Sequence, residues 1–135
     1  MAYPISEIQG IGTDVAAVLK SDGIRTTVTL LRLAKTPKQR LKLALKTGTP
    51  ERHVLDWVTA ADRMRIKGVR EPYAELLKDA GVDTVRELKY RNPGRLARAM
   101  SEANKKHKRV RLLPSEKRVS AWIEAAKNLD PKIRY

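Results

Sequence analysis

Glycine turns and cations are the parts of this 135-residue chain that could do chemistry, and the chemistry they suit is the holding of phosphates. Ile8-Gln9-Gly10-Ile11-Gly12 sets two glycines around one aliphatic residue. An amphipathic stretch follows, in which Val15, Val18 and Leu19 fall at helical spacing. Glycine reaches backbone conformations that side chains forbid, so Gly10 and Gly12 permit a very tight turn between helices. Such a turn leaves unpaired N–H groups at the start of the next helix, where the helix dipole also favours an anion. The candidates for phosphate contact are Gly10, Ile11, Gly12 and Thr13, with Lys20 on the following helix.

The pattern comes twice. Ile66-Lys67-Gly68-Val69-Arg70 repeats the turn, and Tyr73, Leu76, Leu77 and Ala80 stand where Val15, Val18, Leu19 and Asp22 stood. Gly81-Val82 then repeats Gly23-Ile24, and Thr84 repeats Thr26. The second set of candidates is Lys67, Gly68, Val69, Arg70 and Lys78. Arg70 stands where the first copy has Gly12, a departure in the turn that also brings a cation to it. A third set is the run Lys105, Lys106, Lys108, Arg109 and Arg111, which could grip a phosphate backbone on a neighbouring surface or remain a solvated loop.

Other chemistry lacks its residues. Two histidines, His53 and His107, and no cysteine make a zinc site improbable and exclude disulfides. No serine lies in a nucleophile elbow and no glycine loop resembles a P-loop. Asp14, Asp22, Asp56 and Asp62 are scattered as exposed charges usually are. The expectation is therefore a protein that is not an enzyme, with no metal site and no cofactor.

Charge points the same way as the turns. Lys and Arg number 29 against 15 Asp and Glu, for a net charge of +14. Residues 1–65 hold 11 basic and 6 acidic residues, and residues 66–135 hold 18 and 9, so both halves are cationic. A field of this sign favours a polyanion: DNA, RNA or an anionic membrane surface. No apolar run reaches the length of a membrane span, and Met1-Ala2-Tyr3-Pro4 has no basic-then-apolar signal pattern. A reducing cytoplasm is expected, with nucleoid association if the source is bacterial.

The elements that must position these residues all read as helices. Pro4 to Gln9 is expected to form a short first helix and Thr13 to Ser21 a second, ended by Gly23. Thr26 or Thr27 caps a third carrying Leu30, Leu31 and Leu33. Thr36-Pro37 starts a fourth, with Leu41, Ala44 and Leu45 on one face and an end near Gly48. Thr49-Pro50-Glu51 starts a fifth, whose stripe is Val54, Trp57, Val58, Ala61 and Met64. Nothing breaks the chain from Pro50 to Lys67, which predicts one continuous helix of about 18 residues, roughly 27 Å long. That helix would close the first repeat and open the second.

The second half follows suit. Thr84 opens a short helix with Val85 and Leu88, and Asn92-Pro93 parallels Thr36-Pro37. Leu96, Ala99, Met100 and Ala103 supply the next face, and Pro114-Ser115-Glu116 restarts the chain as a helix. Val119, Trp122, Ile123, Ala126 and Leu129 match the earlier stripe at a constant offset of 65. Trp57 and Trp122 lie on apolar stripes and read as core residues, as does Tyr73. Tyr90, among charges, is unsettled between core and stacking platform. Arg25, Arg32, Arg40, Arg95 and Arg98 read as solvated.

The turn, the apolar helix and the glycine–aliphatic–x–threonine ending resemble the helix-hairpin-helix motif of DNA-binding proteins that do not read sequence. The first copy matches at Gly10, Ile11 and Gly12, the second at Gly68 and Val69. The duplication, and the ending seen at Pro114, Val119, Trp122 and Ala125-Ala126, resemble a bacterial family of two such repeats with no assigned function. That resemblance implies an all-α fold of two tandem five-helix (SAM-like) repeats, 4–65 and 66–130, sharing the continuous central helix. It also implies that loop amides and nearby cations hold DNA phosphates.

The function expected is non-enzymatic and largely sequence-independent DNA binding, with double-stranded DNA as the partner. The alternatives are a protein-interaction or scaffold module, which the substitution at Arg70 favours, and an RNA-binding accessory protein, which the charge equally permits.

Overall fold

Side-chain caps at Thr26, Thr36, Thr84, Asn92 and Ser115 cut the chain into helices at the points where its polar residues can pair the first free amides. The computed structural model describes residues 2–135, and eight α-helices account for its regular structure: α1 (Thr13–Ser21), α2 (Thr27–Leu33), α3 (Pro37–Thr47), α4 (Glu51–Arg63), α5 (Tyr73–Asp79), α6 (Val85–Leu88), α7 (Pro93–His107) and α8 (Glu116–Lys127). A single 3₁₀ turn, Ile5–Glu7, precedes them. No strand forms among the described residues; one isolated antiparallel bridge joins Pro4 and Thr26.

The chain divides into two compact units. The first runs to Arg65 and takes in Lys132–Tyr135 from the end of the chain. Its core gathers Ile5, Ile8 and Ile11 before and within the glycine turn, Leu19 of α1, Leu30 and Leu31 of α2, Leu43 of α3 and Val54, Trp57 and Val58 of α4. Two caps are worth their residues. Thr36 Oγ1 accepts from Gln39 N–H at 3.2 Å while Gln39 Oε1 accepts from Thr36 N–H at 3.1 Å, a reciprocal capping box before Pro37. Gly48, at φ +67°, ends α3 in the left-handed conformation that a side chain would oppose.

The second unit spans Ile66–Pro131. Ile66 and Val69 of its glycine turn, Leu76 and Leu77 of α5, Leu88 of α6, Leu96 and Met100 of α7, and Val119, Trp122 and Ile123 of α8 form its core. Trp57 and Trp122 are each 3% exposed, and both belong to cores as their stripes predict.

Five expectations are corrected. The stretch from Pro50 to Lys67 is not one continuous helix: α4 stops at Arg63, and the chain turns from Met64 to Val69. The backbone tightens as Arg65 N–H donates to Asp62 O at 3.1 Å, then Val69 N–H donates to Ile66 O at 3.1 Å, with Gly68 at φ +88°. The turn lets Ile66 and Val69, three residues apart, both enter the second core while Met64 stays in the first. The expected helix from Pro4 to Gln9 is likewise reduced to the 3₁₀ turn Ile5–Glu7. Counted with that turn, the first unit has five helical segments, but the second has only α5 to α8.

On α3, the buried face carries Leu43 and Ala44, whereas Leu41 is 50% exposed and Leu45 77%. Arg40 shares that buried face, and it is the fifth correction, because it is buried and not solvated. Its guanidinium donates to Ala34 O at 3.2 Å, Lys35 O at 2.8 Å and Arg134 O at 2.7 Å. Those carbonyls lie past the end of α2 and in the returning tail. Arg134 N–H closes the same join by donating to Lys35 O at 2.9 Å, and Ile133 packs on the first core.

Candidate functional site

The two glycine turns share their local geometry. Ile11 N–H donates to Ile8 O at 3.2 Å and Val69 N–H to Ile66 O at 3.1 Å, so the chain reverses around Gly10 at φ +94° and Gly68 at φ +88°. The first hydrogen bond after each turn is shared, Ala16 N–H donating to Gly12 O and Ala74 N–H to Arg70 O, both at 2.9 Å, but α1 starts directly at Thr13 behind an extended Gly12 whereas α5 starts at Tyr73 behind Pro72. They also close alike: Ile24 N–H donates to Leu19 O at 2.8 Å and Val82 N–H to Leu77 O at 2.9 Å, across Gly23 and Gly81 at φ +82° and +96°.

Gly12 needs no such conformation. Its φ is −81°, its backbone is extended, and a Cβ added there would meet nothing within 4 Å. The backbone at this position therefore accepts a side chain, which is why Arg70 can stand there in the second copy with the turn intact. Gly10 and Gly68 are different. A Cβ at Gly10 would lie 3.4 Å from Trp57 Nε1, and one at Gly68 would lie 3.3 Å from Trp122 Nε1. In each unit the tryptophan of the last stripe braces the turn with its indole edge.

What the turns expose is backbone. Gly10, Gly12 and Thr13 are exposed, while the side chains of Ile11 and Val69 are buried, so those two could meet a ligand only through main-chain groups. Gly12 caps α1 without any side-chain hydrogen bond, leaving its first-turn amides to solvent or a ligand. That contrasts with the capped starts of α2, α3, α6, α7 and α8. Lys67 is exposed beside Gly68, and Arg70 is half-buried.

Some candidates are not brought together. Lys20 lies in the last turn of α1, about 10 Å along the helix from Thr13, and Lys78 in the last turn of α5. Both are exposed, but at the far ends of their helices from the turns. The basic run is not one loop. Lys105, Lys106 and His107 are the last turn of α7, and Lys108 at φ +51° caps it. Asn104 then fixes the chain beyond, its amide oxygen accepting from Val110 N–H and its Nδ2 donating to Val110 O, each at 3.0 Å.

Within that run Arg109 is committed. Its Nε donates to Asp79 Oδ2 at 2.8 Å and Nη2 to Oδ1 at 3.4 Å, a pairing that holds its pKa above the ordinary guanidinium value. Lys105 reaches Glu102 at 3.1 Å across an exposed face, a pair worth little. Lys106, Lys108 and Arg111 remain exposed.

One residue of this region was not singled out from the sequence. Arg118, exposed on α8, lies with its guanidinium carbon 5.0 Å from the Tyr73 ring centre and 5.5 Å from that of Trp122. Tyr73 and Trp122 are tilted against one another at 5.9 Å. The available signal was the offset of 65, which pairs Arg118 with His53, but only the fold puts Tyr73 under it. Tyr90, 76% exposed, lies outside both cores beside Lys89, whose Nζ is 5.2 Å from the ring centre.

No group of three or more His, Asp or Glu residues among those described is placed to hold a metal ion. No helix among them is long and apolar enough to cross a membrane. Residues 9–129 match the family model described as a domain of unknown function, DUF4332. No curated protein and no solved structure matches the chain.

Proposed function

The chain belongs to the DUF4332 family, and we propose that it is a non-enzymatic, largely sequence-independent DNA-binding protein of helix-hairpin-helix type. In this reading its two tandem repeats hold duplex phosphates through the glycine turns and neighbouring cations. The observation that carries the reading is the start of α1. Gly10 and Gly12 are exposed and no side chain caps the first-turn amides, which leaves them able to take an anion in a protein of net charge +14. Lys67 and Arg70 add cations at the second turn, and Lys106, Lys108 and Arg111 add them at the end of α7. Phosphate contacts of this kind supply affinity and register without reading bases. Gly10, Ile11, Gly12 and Thr13 offer a base edge no bidentate partner, and Gln9 is the one residue of the stretch that could, so discrimination between sequences is slight.

A scaffold role is the second reading, and the observation favouring it is on α3. Leu41 and Leu45, one helical turn apart, are exposed on a helix that also exposes Lys38, Lys42 and Lys46. Titration of labelled duplex, single-stranded DNA and RNA across a salt series separates the readings. Duplex binding that weakens steeply with salt supports the first. A preference for RNA would move the partner to that polymer, and no binding to any of the three at low salt would leave the scaffold role.

A further inference from the structure

We infer that Arg118, stacked on Tyr73 and Trp122 beside Gly68, is a phosphate-binding residue, and that the second glycine turn is thereby a side-chain-built anion site unlike the first. The inference rests on the phosphodiester-binding reading above for its ligand but on separate observations for its residues. A guanidinium over an aromatic face is held by the ring quadrupole while its N–H edges stay open to an acceptor. Arg118 is held by two such faces, at 5.0 and 5.5 Å. Its Nη2 and Nε lie 3.4 and 4.0 Å from the position a Cβ would take on Gly68, so the edge of the fork overhangs the turn.

Nothing on the protein claims that edge: among the described residues Arg118 donates to no side chain and pairs with no carboxylate. Glu116, the acid nearest in sequence, instead lies against Gly94. Tyr73 is itself fixed, its hydroxyl donating to Leu112 O at 3.1 Å. The fork is thus oriented before any ligand arrives, which lowers the ordering cost of binding. Lys67 is exposed next to Gly68 and adds a second cation.

The first unit lacks this device. His53 occupies the register of Arg118 and Val15 that of Tyr73, and only Trp57 lies within 4 Å of the Cβ position at Gly10. A phosphate at the first turn would be held by amides, and one at the second by a planar cation. That difference also gives Arg70 a sense: where a side-chain cation takes the anion, a second glycine in the turn is not required.

Trp122 reports on the site directly, because Trp57→Phe leaves it as the sole tryptophan. In that background, circular dichroism verifying the fold of each variant, Trp122 emission is followed during titration with random duplex DNA and with inorganic phosphate, and duplex affinity is read by anisotropy. The expected result is an emission change with both ligands, abolished in Arg118→Ala, with duplex affinity lowered about tenfold for the loss of one charge-assisted contact. Arg118→Lys should recover part of the affinity. If duplex binds with unchanged affinity to Arg118→Ala, this site is wrong and the DNA-binding reading stands. If duplex does not bind but inorganic phosphate moves Trp122 emission through Arg118, the site stands and the DNA-binding reading falls. Emission unmoved by either ligand overturns the site.

Discussion

Trp57 Nε1 lies 3.4 Å from the place a Cβ would occupy on Gly10, and Trp122 Nε1 lies 3.3 Å from the same place on Gly68. Each buried tryptophan therefore fixes a glycine that also sits at positive φ, +94° and +88°. The conformation opposes a side chain at both positions, while the space is an ordinary contact at Gly10 and slightly tight at Gly68. Gly10→Ala and Gly68→Ala should each lower stability by about 1–2 kcal/mol from the backbone conformation alone, with a little more from the contact at Gly68. Chemical denaturation monitored by circular dichroism checks this, and midpoints unchanged from wild type would show that the turns can relax.

The tryptophans are the larger dependency. Trp57→Ala and Trp122→Ala each empty a site that is 3% exposed and should destabilise by about 3–5 kcal/mol. Any loss of DNA binding should then track the loss of fold. A variant that melts like wild type yet no longer binds would make that indole a ligand platform.

Arg40 should prove as sensitive as a core residue. It donates to three carbonyls, and it ties the returning tail to the end of α2. Burial lowers its pKa, opposed by Glu51 and Tyr135, but the guanidinium stays charged. Arg40→Leu removes the charge yet takes this donor from Ala34 O, which is buried, and from Arg134 O, while Lys35 O keeps the Arg134 N–H, for a cost of about 1–3 kcal/mol. Limited proteolysis should also release Lys132–Tyr135 faster in this variant, and equal rates would mean the tail is held by Ile133 alone.

Asp62 sets a pH dependence of definite sign. Burial raises its pKa, and the hydrogen bond from Arg65 at 2.7 Å, with the charges of Arg65, Arg63 and Lys132, opposes the shift only in part. A carboxyl whose folded pKa exceeds its unfolded value binds more protons in the native state. Its stabilising share is complete below the unfolded pKa and is lost as pH rises through the folded one. Wild type should therefore lose stability relative to Asp62→Asn as pH rises from about 3.5 to 7. A gap between the two proteins that is constant with pH, or that moves the other way, would show that the Arg65 pair dominates.

How much of this was legible in the residues depended on what decided each feature. Thr36-Pro37, Asn92-Pro93 and Gly48 act through their own backbone, so their roles can be read locally and hold in the structure. The tryptophan stripes were legible because two copies repeat them in register. Arg40 was not, because its partners lie at Ala34, Lys35 and Arg134, the last of them 94 residues away. The sequence of α3 puts leucines at 41, 43 and 45, and Leu43 is the one that shares the buried face with Arg40. The end of α4 was hidden for a related reason: apolar periodicity says which residues are buried but not that Met64 and Ile66 enter different cores. The Arg118 stack needed Tyr73, which is 45 residues away in sequence.

The central claim is that the first turn holds a phosphate with its backbone. Gly12→Val tests it most directly, because the extended backbone there accepts a side chain, with nothing within 4 Å to clash, at a cost of about 1 kcal/mol or less to the helix start. The measurement is fluorescence anisotropy of a labelled random duplex against salt concentration, for wild type and Gly12→Val. With about six phosphate contacts the wild-type log–log slope should be near −5. Gly12→Val, folded by circular dichroism, should bind distinctly more weakly at every salt concentration. Equal affinities for the two proteins would contradict the account and reduce the glycine turn to a connection between helices.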